Sequence, residues 1–390
     1  MKVLVYGVIA GRGGIQSHLR WLSIALAESG MEVLILTPQR ISEGDRANLS
    51  ASLNIDGVEI RFIDPNISHP RSKILANLRK FKELIQISRN FHPQIYLGVG
   101  TSWYLSVLPL ILPSSVRSIF HEVMSGICSQ WRDSRWGVKW WFDEVVGQSP
   151  TVASNFASSF GWHKTVPAIP AMPEPLELTA TLPQPPTRKV SLGQAKAALF
   201  SRLEPHKQAF WLVRQWDYLK DDLGQLHVYG SGSEEALIRN YIQARGIGDR
   251  VKCFGPYPDG QGYVDLLSRY DLTLLPTIGE EGAPLVLLES MACGVPFVAY
   301  GVGGIPDYGV ENPNAIVVSP EPDLNLEPGQ TPAFVTGVRQ MAQRLARGEI
   351  DRDQLQQFYR ERYSYAALKQ AWVSYLRQPP APEAIGGSQP

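Results

Sequence analysis

Two basic residues in the second half of the chain have the spacing of a phosphate-binding pair. Arg202 and Lys207 lie five residues apart in SRLEPHKQ, directly after a stretch that is typical of a buried strand. Two fixed cations suit a diphosphate, because they hold it and neutralise the charge that develops when it leaves. Solvated surface charge explains such a pair more readily when it is taken alone. The pair therefore indicates a diphosphate site only in combination with other residues.

Two carboxylates flank a predicted helix start in EEGAPLVLLESMACGVPFVAYGVGG, residues 280–304. Glu281 precedes the helix, Pro284 suits its first turn, and Glu289 follows about two turns later. Backbone N–H groups near Ala283 to Val286 are predicted to lack helical partners and to be available to anionic oxygens. Core packing explains the apolar residues of this helix. It does not explain Glu289, because a carboxylate at a buried position needs partners such as sugar or ribose hydroxyls.

A glycine-rich loop near the N-terminus, GVIAGRGGIQSH, joins a predicted strand to a predicted helix. Its backbone N–H groups and the positive end of the helix can hold a phosphate, although a tight turn explains the glycines as well. The loop departs from the dinucleotide fingerprint, because Gln16 takes the third glycine position and the second strand ends at Thr37. It also lacks the GK[ST] ending of a Walker loop.

Two further features allow both a structural and a chemical interpretation. His121 ends the strand-like run SIFH, and a lone histidine at a strand end is more often structural. Asp351 and Asp353 form a DxD pattern in GEIDRDQLQ at a predicted helix start. Capping of that helix is favoured over metal binding.

The elements that must position these residues alternate between strand and helix in both halves of the chain. The predicted strands are Val3–Tyr6, Glu32–Leu36, Ile60–Ile63, Gln94–Gly98, Ser118–His121, Ala197–Ser201, Gln225–Gly230, Val251–Phe254, Leu272–Leu275, Phe297–Tyr300 and Ala315–Val318. This alternation predicts an α/β protein with two doubly wound domains. Ligands of such sheets bind beyond the carboxyl ends of the strands, where the candidate residues fall.

Seven prolines between residues 167 and 186 predict an extended connector. We therefore predict an N-terminal Rossmann-like domain over 1–170, a linker over 171–190 and a second such domain over 191–377. A C-terminal helix over about 354–377 is predicted to pack back on the first domain. The tail 378–390 is predicted to be disordered, because it is rich in Pro, Gly and Ala.

The composition argues against several classes of protein. Thirty-seven Lys+Arg balance 37 Asp+Glu over 390 residues, which excludes a generally basic nucleic-acid binder. Cys128, Cys253 and Cys293 form no CxxC pair, so neither a disulfide framework nor a structural zinc site is expected. No cleavable leader or long apolar run is evident, and a cytoplasmic protein is expected.

Cations and tryptophans are concentrated in the first half, where residues 1–190 carry a net charge of +5 against −5 for residues 191–390. Residues 71–89 predict an amphipathic helix that can lie on anionic lipid, although a solvated face is the more common reason for such a pattern. Its charged residues are Arg71, Lys73, Arg79, Lys80, Lys82 and Arg89, with the single acid Glu83. The segment QWRDSRWGVKWWF suits an interface or a sugar-binding platform. It contains Trp131, Trp136, Trp140 and Trp141 with Arg132, Arg135 and Lys139.

Taken together and in order, these motifs resemble those of the family 4 retaining glycosyltransferases. That family has the GT-B fold, in which two Rossmann-like domains face a cleft. The likeness spans most of the chain: the GG loop and its helix, the R-x4-K pair, the stretch LHVYGSGSEEALIRNYIQARGIGDRVKCFG, and the E-x7-E motif from Glu281 to Glu289. The loop GGIQSH is also similar to that of the phosphatidylinositol mannosyltransferase branch.

The resemblance implies a catalytic role for Arg202, Lys207, Glu281 and His121, and a donor-binding role for Glu289. Arg202 and Lys207 would hold the donor diphosphate. Glu289 would bind the ribose hydroxyls, and Glu281 the hydroxyls of the transferred sugar. His121 would contact the donor sugar at the reacting face and stabilise positive character at the anomeric carbon.

The resemblance also implies the rest of a donor site. Gly13 and Gly14 would approach the diphosphate from the other domain. Further donor contacts would come from Gly230, Ser231, Gly232, Ala283, Pro284, Leu285 and Val286. Ala283 departs from the family, which usually has an aromatic residue there, so the choice of donor is left open.

The implied reaction transfers a sugar from a nucleoside-diphosphate-sugar, most often a UDP-hexose, to a hydroxyl of a lipid or glycan acceptor. The anomeric configuration is retained, the linkage is α, and neither a metal nor another cofactor is expected. No second carboxylate nucleophile is identifiable in the sequence, which favours a front-face mechanism. A location at the inner face of an anionic membrane is compatible with the basic first half. A non-catalytic nucleotide-sugar-binding subunit and a nucleotide-sugar epimerase are the alternatives.

Overall fold

The computed structural model describes residues 1–11, 13–38, 56–63, 73–128, 130, 132–185, 189–279, 281–324 and 330–379. Twelve strands within them form two parallel six-stranded sheets. Their bounds are β1 Lys2–Tyr6, β2 Glu32–Thr37, β3 Val58–Phe62, β4 Ile95–Val99, β5 Arg117–Glu122, β6 Glu144–Gly147, β7 Ala195–Phe200, β8 Leu223–Tyr229, β9 Val251–Gly255, β10 Leu272–Leu275, β11 Phe297–Tyr300 and β12 Ala315–Val318.

The two sheets have the same strand order. The first has the order β3-β2-β1-β4-β5-β6, and the second, β9-β8-β7-β10-β11-β12, repeats it strand for strand. Central strands such as β4 (IYLGV) are apolar on both faces and buried along their whole length, because helices cover both faces of such a sheet. This is the α/β, doubly wound architecture that the sequence predicts.

The helices that connect and cover the strands are numbered here along the chain. Their bounds are α1 Gly14–Glu28, α2 Lys73–Phe91, α3 Trp103–Val107, α4 Trp136–Trp141, α5 Pro150–Phe160, α6 Leu176–Thr179, α7 Ala209–Arg214, α8 Trp216–Leu219, α9 Glu235–Arg245, α10 Gly260–Leu267, α11 Leu285–Ala292, α12 Ile305–Gly309, α13 Glu321–Leu324, α14 Ala333–Arg347, α15 Arg352–Arg362 and α16 Tyr365–Arg377. No helix in the described ranges combines the length and the apolar character needed to cross a bilayer.

All eleven predicted strands are present, with ends that differ by up to two residues. Strand β6 was not among them. Its four residues EVVG follow directly on the tryptophan-rich segment, so the short apolar run has no flanking signal of its own. It takes the edge position beside β5.

The contacts of the chain define two compact units. The first comprises residues 1–121, 132–145 and the C-terminal residues from 368; the second comprises 122–131 and 146–367. The sequence-based limits at 170 and 190 rest on proline content alone and stay a prediction. One turn of helix, α6, interrupts the predicted extended connector directly after Pro175.

The predicted C-terminal helix over 354–377 is two helices instead of one. Helix α15 ends at Arg362, and α16 starts after Ser364, whose Oγ accepts a hydrogen bond from Ala367 N at 3.3 Å. A serine in this position satisfies an amide of the first turn and so favours a new helix start. Residues 380–390 of the predicted disordered tail lie outside the described residues.

Within the first unit, Arg117 forms hydrogen bonds with the C-terminal end of α16. Its Nε and Nη2 donate to the two carboxylate oxygens of Glu144 at 2.6 and 2.7 Å. Its Nη1 donates to the carbonyl oxygens of Tyr375, Leu376 and Gln378 at 3.3, 3.3 and 2.8 Å. Lysine could not replace this arginine, because only the guanidinium fork serves a carboxylate and a helix end together.

Candidate active site

The predicted diphosphate pair lies in the loop that follows β7. A 3-10 turn over Pro205–Lys207 carries Lys207, whose Nζ forms an ion pair with Glu281. Both side chains are largely buried, with exposed fractions of 12% and 15%. Arg202 is exposed in the same loop. The ion pair therefore joins the R-x4-K motif to the E-x7-E motif, which are more than seventy residues apart in sequence.

The loop after β8 lies directly against the loop that holds Arg202. Leu203 N donates to the carbonyl oxygen of Ser231 at 2.9 Å. Gly230 has φ +133, and a Cβ there would overlap the carbonyl oxygen of Ser201. Gly232 approaches the carbonyl of Leu203 in the same way. The glycines of VYGSGS are therefore required by close backbone approach, and the structure brings this loop beside Arg202.

Glu281 is held by a second pair of glycines. The N–H group of Gly304 donates to the carbonyl oxygen of Gly282 at 2.6 Å. Gly303 has φ +56, and a Cβ there would overlap the carbonyl oxygen of Glu281. The loop from Glu281 to Ala283 thus rests on the GVGG segment that follows β11. A backbone that is fixed on one side in this way gives the Glu281 carboxylate a defined direction toward Lys207.

Helix α11 follows this loop and carries Glu289. Pro284 occupies the N-cap position, one residue before the first turn in which the sequence placed it, and no side chain caps the helix. Ala283, Leu285 and Val286 are partly buried beside it. Uncapped amides at a helix start favour negative charge, so this end of α11 suits an anionic group.

The pKa of the Glu289 carboxyl is strongly raised. Burial raises its pKa from 4.5 to about 7, and the nearby carboxylate of Glu174 adds to the effect. The Tyr263 hydroxyl donates to Glu289 Oε2 at 2.8 Å and lowers the pKa in part. A carboxyl poised near neutral pH inside a candidate site is typical of a group that awaits a hydrogen-bonding ligand.

Tyr263 contacts the candidate site through Glu289, a contact that the sequence did not reveal. It lies on α10, is 5% exposed, and reaches Glu289 across 26 residues of sequence. The segment GQGYVDLL presents it as one more apolar position of an amphipathic helix. No spacing rule connects a tyrosine there to the E-x7-E motif, so only the structure could find it.

In the first unit, the glycine loop meets the start of α1. Gly13 is the N-cap residue with an extended backbone, φ 163, and no side chain caps the helix. Its carbonyl oxygen accepts the Ser17 N–H at 3.0 Å. Gly14 is the first residue of the helix. Their predicted approach to a diphosphate stays a prediction.

His121 lies in the interior of the first unit. Its side chain is fully buried, and Nδ1 lies 2.8 Å from Nε2 of His18, which is itself fully buried. Burial lowers the pKa of His18 to about 3, so this imidazole is neutral. The ring of Trp372, from α16, lies 4.7 Å from that of His121. A contact between His121 and a sugar would require these neighbours to move, and the predicted role stays a prediction.

Several side chains of the cationic helix and of the tryptophan segment are exposed to solvent. On α2, Leu78 is 59% exposed, and Arg79 and Lys82 are exposed. Trp140 is 71% exposed, with Lys139 Nζ 5.3 Å from its ring. Arg71, the side chain of Lys73 and Trp131 lie outside the described residues.

Arg135 was predicted to belong to the surface cations of the tryptophan segment, but it is buried. It donates from Nη2 to Asp133 Oδ2 at 2.6 Å. The carboxylate of Asp133, two residues earlier, supplies the partner that a buried guanidinium needs.

The DxD pattern serves a structural purpose. Asp351 is the N-cap of α15, where its Oδ1 accepts the Gln354 N–H at 2.8 Å. This confirms the predicted capping role. In the ranges that the structure describes, no three His, Cys, Asp or Glu side chains are grouped so as to hold a metal ion.

Residues 195–342 match the family model for Glycosyl transferases group 1. An exopolysaccharide phosphotransferase of Streptomyces coelicolor is 29% identical over 180 residues, which is 46% of this chain but only 17% of that protein. A GDP-mannose-dependent monoacylated alpha-(1-6)-phosphatidylinositol monomannoside mannosyltransferase of Corynebacterium glutamicum is 25% identical over 321 residues, 76% of this chain and 78% of the relative.

Among solved structures, HepE of Anabaena in complex with UDP-glucose has a TM-score of 0.70 at 17% identity, over 96% of this chain and 99% of that one. This likeness shows that the chain has the GT-B fold. With the family match, which includes all of Arg202, Lys207, Glu281 and Glu289, it supports a glycosyltransferase.

Proposed function

We propose that the chain is a retaining glycosyltransferase that moves a sugar from a nucleoside-diphosphate-sugar to a hydroxyl of a lipid or glycan, forming an α-linkage. The observation that carries the proposal is the ion pair between Lys207 and Glu281. The pair supports the proposal because it sets a cation, which would bind the leaving diphosphate, beside a carboxylate, which would bind the transferred sugar.

The proposed chemistry uses the charges of the second unit. Arg202 and Lys207 bind the diphosphate and stabilise the negative charge that develops as it departs. Glu281 accepts hydrogen bonds from hydroxyls of the transferred sugar. Glu289 accepts from the ribose, whose hydroxyls would add to the single hydrogen bond that Tyr263 donates to this carboxyl. In a front-face displacement the departing phosphate takes the proton of the acceptor hydroxyl, and no metal is needed.

The donor and acceptor are proposed from the relatives and from the first unit. HepE was solved with UDP-glucose, and the Corynebacterium glutamicum relative is named for GDP-mannose and a phosphatidylinositol mannoside. We therefore place a UDP-hexose first and a GDP-hexose second. Trp140 with Lys139, and the exposed cations Arg79 and Lys82 of α2, suit an anionic lipid surface. This favours a glycolipid or cell-surface glycan made at the cytoplasmic face of a membrane.

Release of nucleoside diphosphate from UDP-, GDP- and ADP-sugars, with and without lipid and glycan acceptors, tests the reaction. We expect release with at least one donor, unchanged by EDTA, and an α-anomeric product by proton NMR. K207A and E281A should each lower the rate at least a hundredfold, because both act on the transition state.

The exposed ion pair of Arg245 with Asp217 offers matched controls of the same charge type, R245A and D217A, which should retain the wild-type rate. Near-normal rates for K207A and E281A would refute the site. Binding of a nucleotide-sugar without release under any condition would favour the non-catalytic subunit instead.

Flotation with liposomes tests the membrane surface separately. We expect binding to vesicles that contain phosphatidylglycerol and not to pure phosphatidylcholine, and a weaker association for W140A. Indifference to lipid charge would remove the membrane from the proposal without affecting the donor site.

A further inference from the structure

The hydroxyl of Tyr263 has one direction available to it. Its ring lies between two aromatic neighbours, stacked on Tyr257 with 5.1 Å between ring centroids and edge-on to Phe200 at 5.6 Å. Rings packed on two sides hinder rotation of the phenol. The O–H group therefore points steadily at Glu289 Oε2, to which it donates at 2.8 Å.

This hydrogen bond holds the Glu289 carboxylate in one orientation and leaves lone pairs on both oxygens for a ligand. Oε2 keeps one lone pair beyond the bond from Tyr263, and Oε1 keeps both, so each oxygen can still accept a hydroxyl proton. Two oxygens held in one plane match the two hydroxyls of a vicinal diol. An unanchored carboxylate would rotate about its terminal torsion and lose that match.

We propose that Tyr263 is a positioning residue that orients Glu289 to bind the vicinal diol of the donor ribose. The inference rests on the proposed function, since it assigns the ribose to Glu289. It adds a residue that lies outside the E-x7-E motif and acts only through that motif's second carboxylate.

The pKa of Glu289 depends on its burial and on the groups around it. Burial and the carboxylate of Glu174 raise its pKa to about 7, whereas the hydrogen bond from Tyr263 lowers it. Within the part of the chain that the structure describes, Cys293, Tyr308 and Tyr359 also interact electrostatically with this carboxyl. Burial raises the pKa of each of these three, so they stay neutral at pH 5.5–8.5. Loss of the Tyr263 hydroxyl should therefore move the ionisation of Glu289 to higher pH.

Calorimetric titration with UDP-glucose and with GDP-mannose from pH 5.5 to 8.5 tests the inference. Neither probe has a phosphate group that titrates in this range, so changes in affinity report the protein. For the wild type, affinity should rise with pH through a midpoint near 7, as Glu289 loses its proton. Y263F should move that midpoint to higher pH by at least half a pH unit and weaken binding at pH 7 about tenfold.

Three variants separate positioning from a general packing defect. Y270F removes a neighbouring buried hydroxyl that bonds to Tyr229 and His227 instead, and it should behave as the wild type. E289Q should bind weakly with no midpoint, and the double variant Y263F/E289Q should equal E289Q. UDP-glucose with a 2′-deoxyribose should bind wild type and Y263F equally, because its sugar offers no diol.

The possible failures are distinguishable. An unmoved midpoint in Y263F, or an equal loss with the deoxyribose probe, would overturn the positioning role while leaving the donor site intact. A wild type that binds neither probe would overturn the proposed function and the positioning role together. A Y263F variant that weakens binding equally at every pH would assign Tyr263 to packing alone.

Discussion

The partly buried carboxyl of Glu289 makes the stability of the unliganded chain depend on pH. Burial raises its pKa from 4.5 to about 7 in the folded chain. The folded state therefore holds this proton more tightly than the unfolded state does. The resulting stabilisation is complete below pH 4.5 and is lost as the pH rises through about 7. Near neutral pH the unliganded chain thus begins to bear the cost of a buried charge.

The size of this pH-dependent change in stability follows from the shift in the pKa of Glu289. Raising the pKa from 4.5 to about 7 corresponds to roughly 3 kcal/mol of unfolding free energy in total, of which about 2.5 kcal/mol falls between pH 5 and pH 8. The substitution Glu289→Gln removes the titrating proton and keeps the volume. Its amide oxygen can accept the Tyr263 hydroxyl in place of Oε2. The variant should therefore lose this contribution to pH dependence and retain the packing of α11.

Urea unfolding of both chains at pH 5, 6, 7 and 8 measures the contribution, since all other titrating groups cancel in the difference between them. We expect the free energy of unfolding of the wild type, relative to Glu289→Gln, to fall by about 2 to 3 kcal/mol from pH 5 to pH 8. The control is Glu235→Gln, which alters a carboxylate of the surface ion pair with Arg239. Its difference from the wild type should stay within about 0.5 kcal/mol throughout. Parallel wild-type and Glu289→Gln curves would refute the burial argument.

Two further predictions concern the backbone of the site and the end of the chain. Gly303→Ala should lower the free energy of unfolding by about 1 to 3 kcal/mol and lower the transfer rate, because its Cβ would displace the Glu281 carbonyl. The control is Gly279→Ala, which also has a positive φ (+86) but has open space around it, so it measures the backbone effect alone. Equal losses of stability in the two variants would contradict the overlap at Gly303. Arg117→Met should remove the guanidinium from Glu144, which keeps the Tyr375 hydroxyl, and should lower the free energy of unfolding by about 3 kcal/mol. It should also expose α16 to limited proteolysis before the rest of the chain; an unchanged digestion pattern would contradict the role of Arg117 in holding the end of α16.

The strands were predictable because the local signal and the tertiary environment agree. In β4 and β10 every residue is buried, and a short apolar run is what a central parallel strand requires. Strand β6 fails the same test, since four residues next to a tryptophan-rich stretch have no pattern of their own. Helix ends depend on single hydrogen bonds, such as the one from Ala367 N to Ser364 Oγ at the start of α16. The hydrophobic periodicity of the sequence does not reveal such a bond.

The site was predictable as far as its motifs, and no further. Arg202, Lys207, Glu281 and Glu289 are recognisable because charged residues at fixed spacing stand out among apolar ones. Sequence could not show that Lys207 pairs with Glu281, since that contact depends on where two loops of one sheet end.

Burial was the property that the sequence concealed most completely. The side chain of His121 and the hydroxyl of Tyr263 face the interior, and their neighbours come from distant segments. No local pattern records which way a side chain at a strand end or on a helix will point.

The position of Trp372 also has a consequence for how the chain is made. Its ring lies against His18 and His121, in a unit whose residues all precede residue 146 except for the segment that starts at residue 368. A ribosome that adds roughly 5 to 20 residues per second needs at least about ten seconds to travel from His121 to Trp372. During that interval the second unit is synthesised in full while the earlier one still lacks its last helix. The unit that comes earlier in the sequence therefore completes its core only after the later unit has been synthesised.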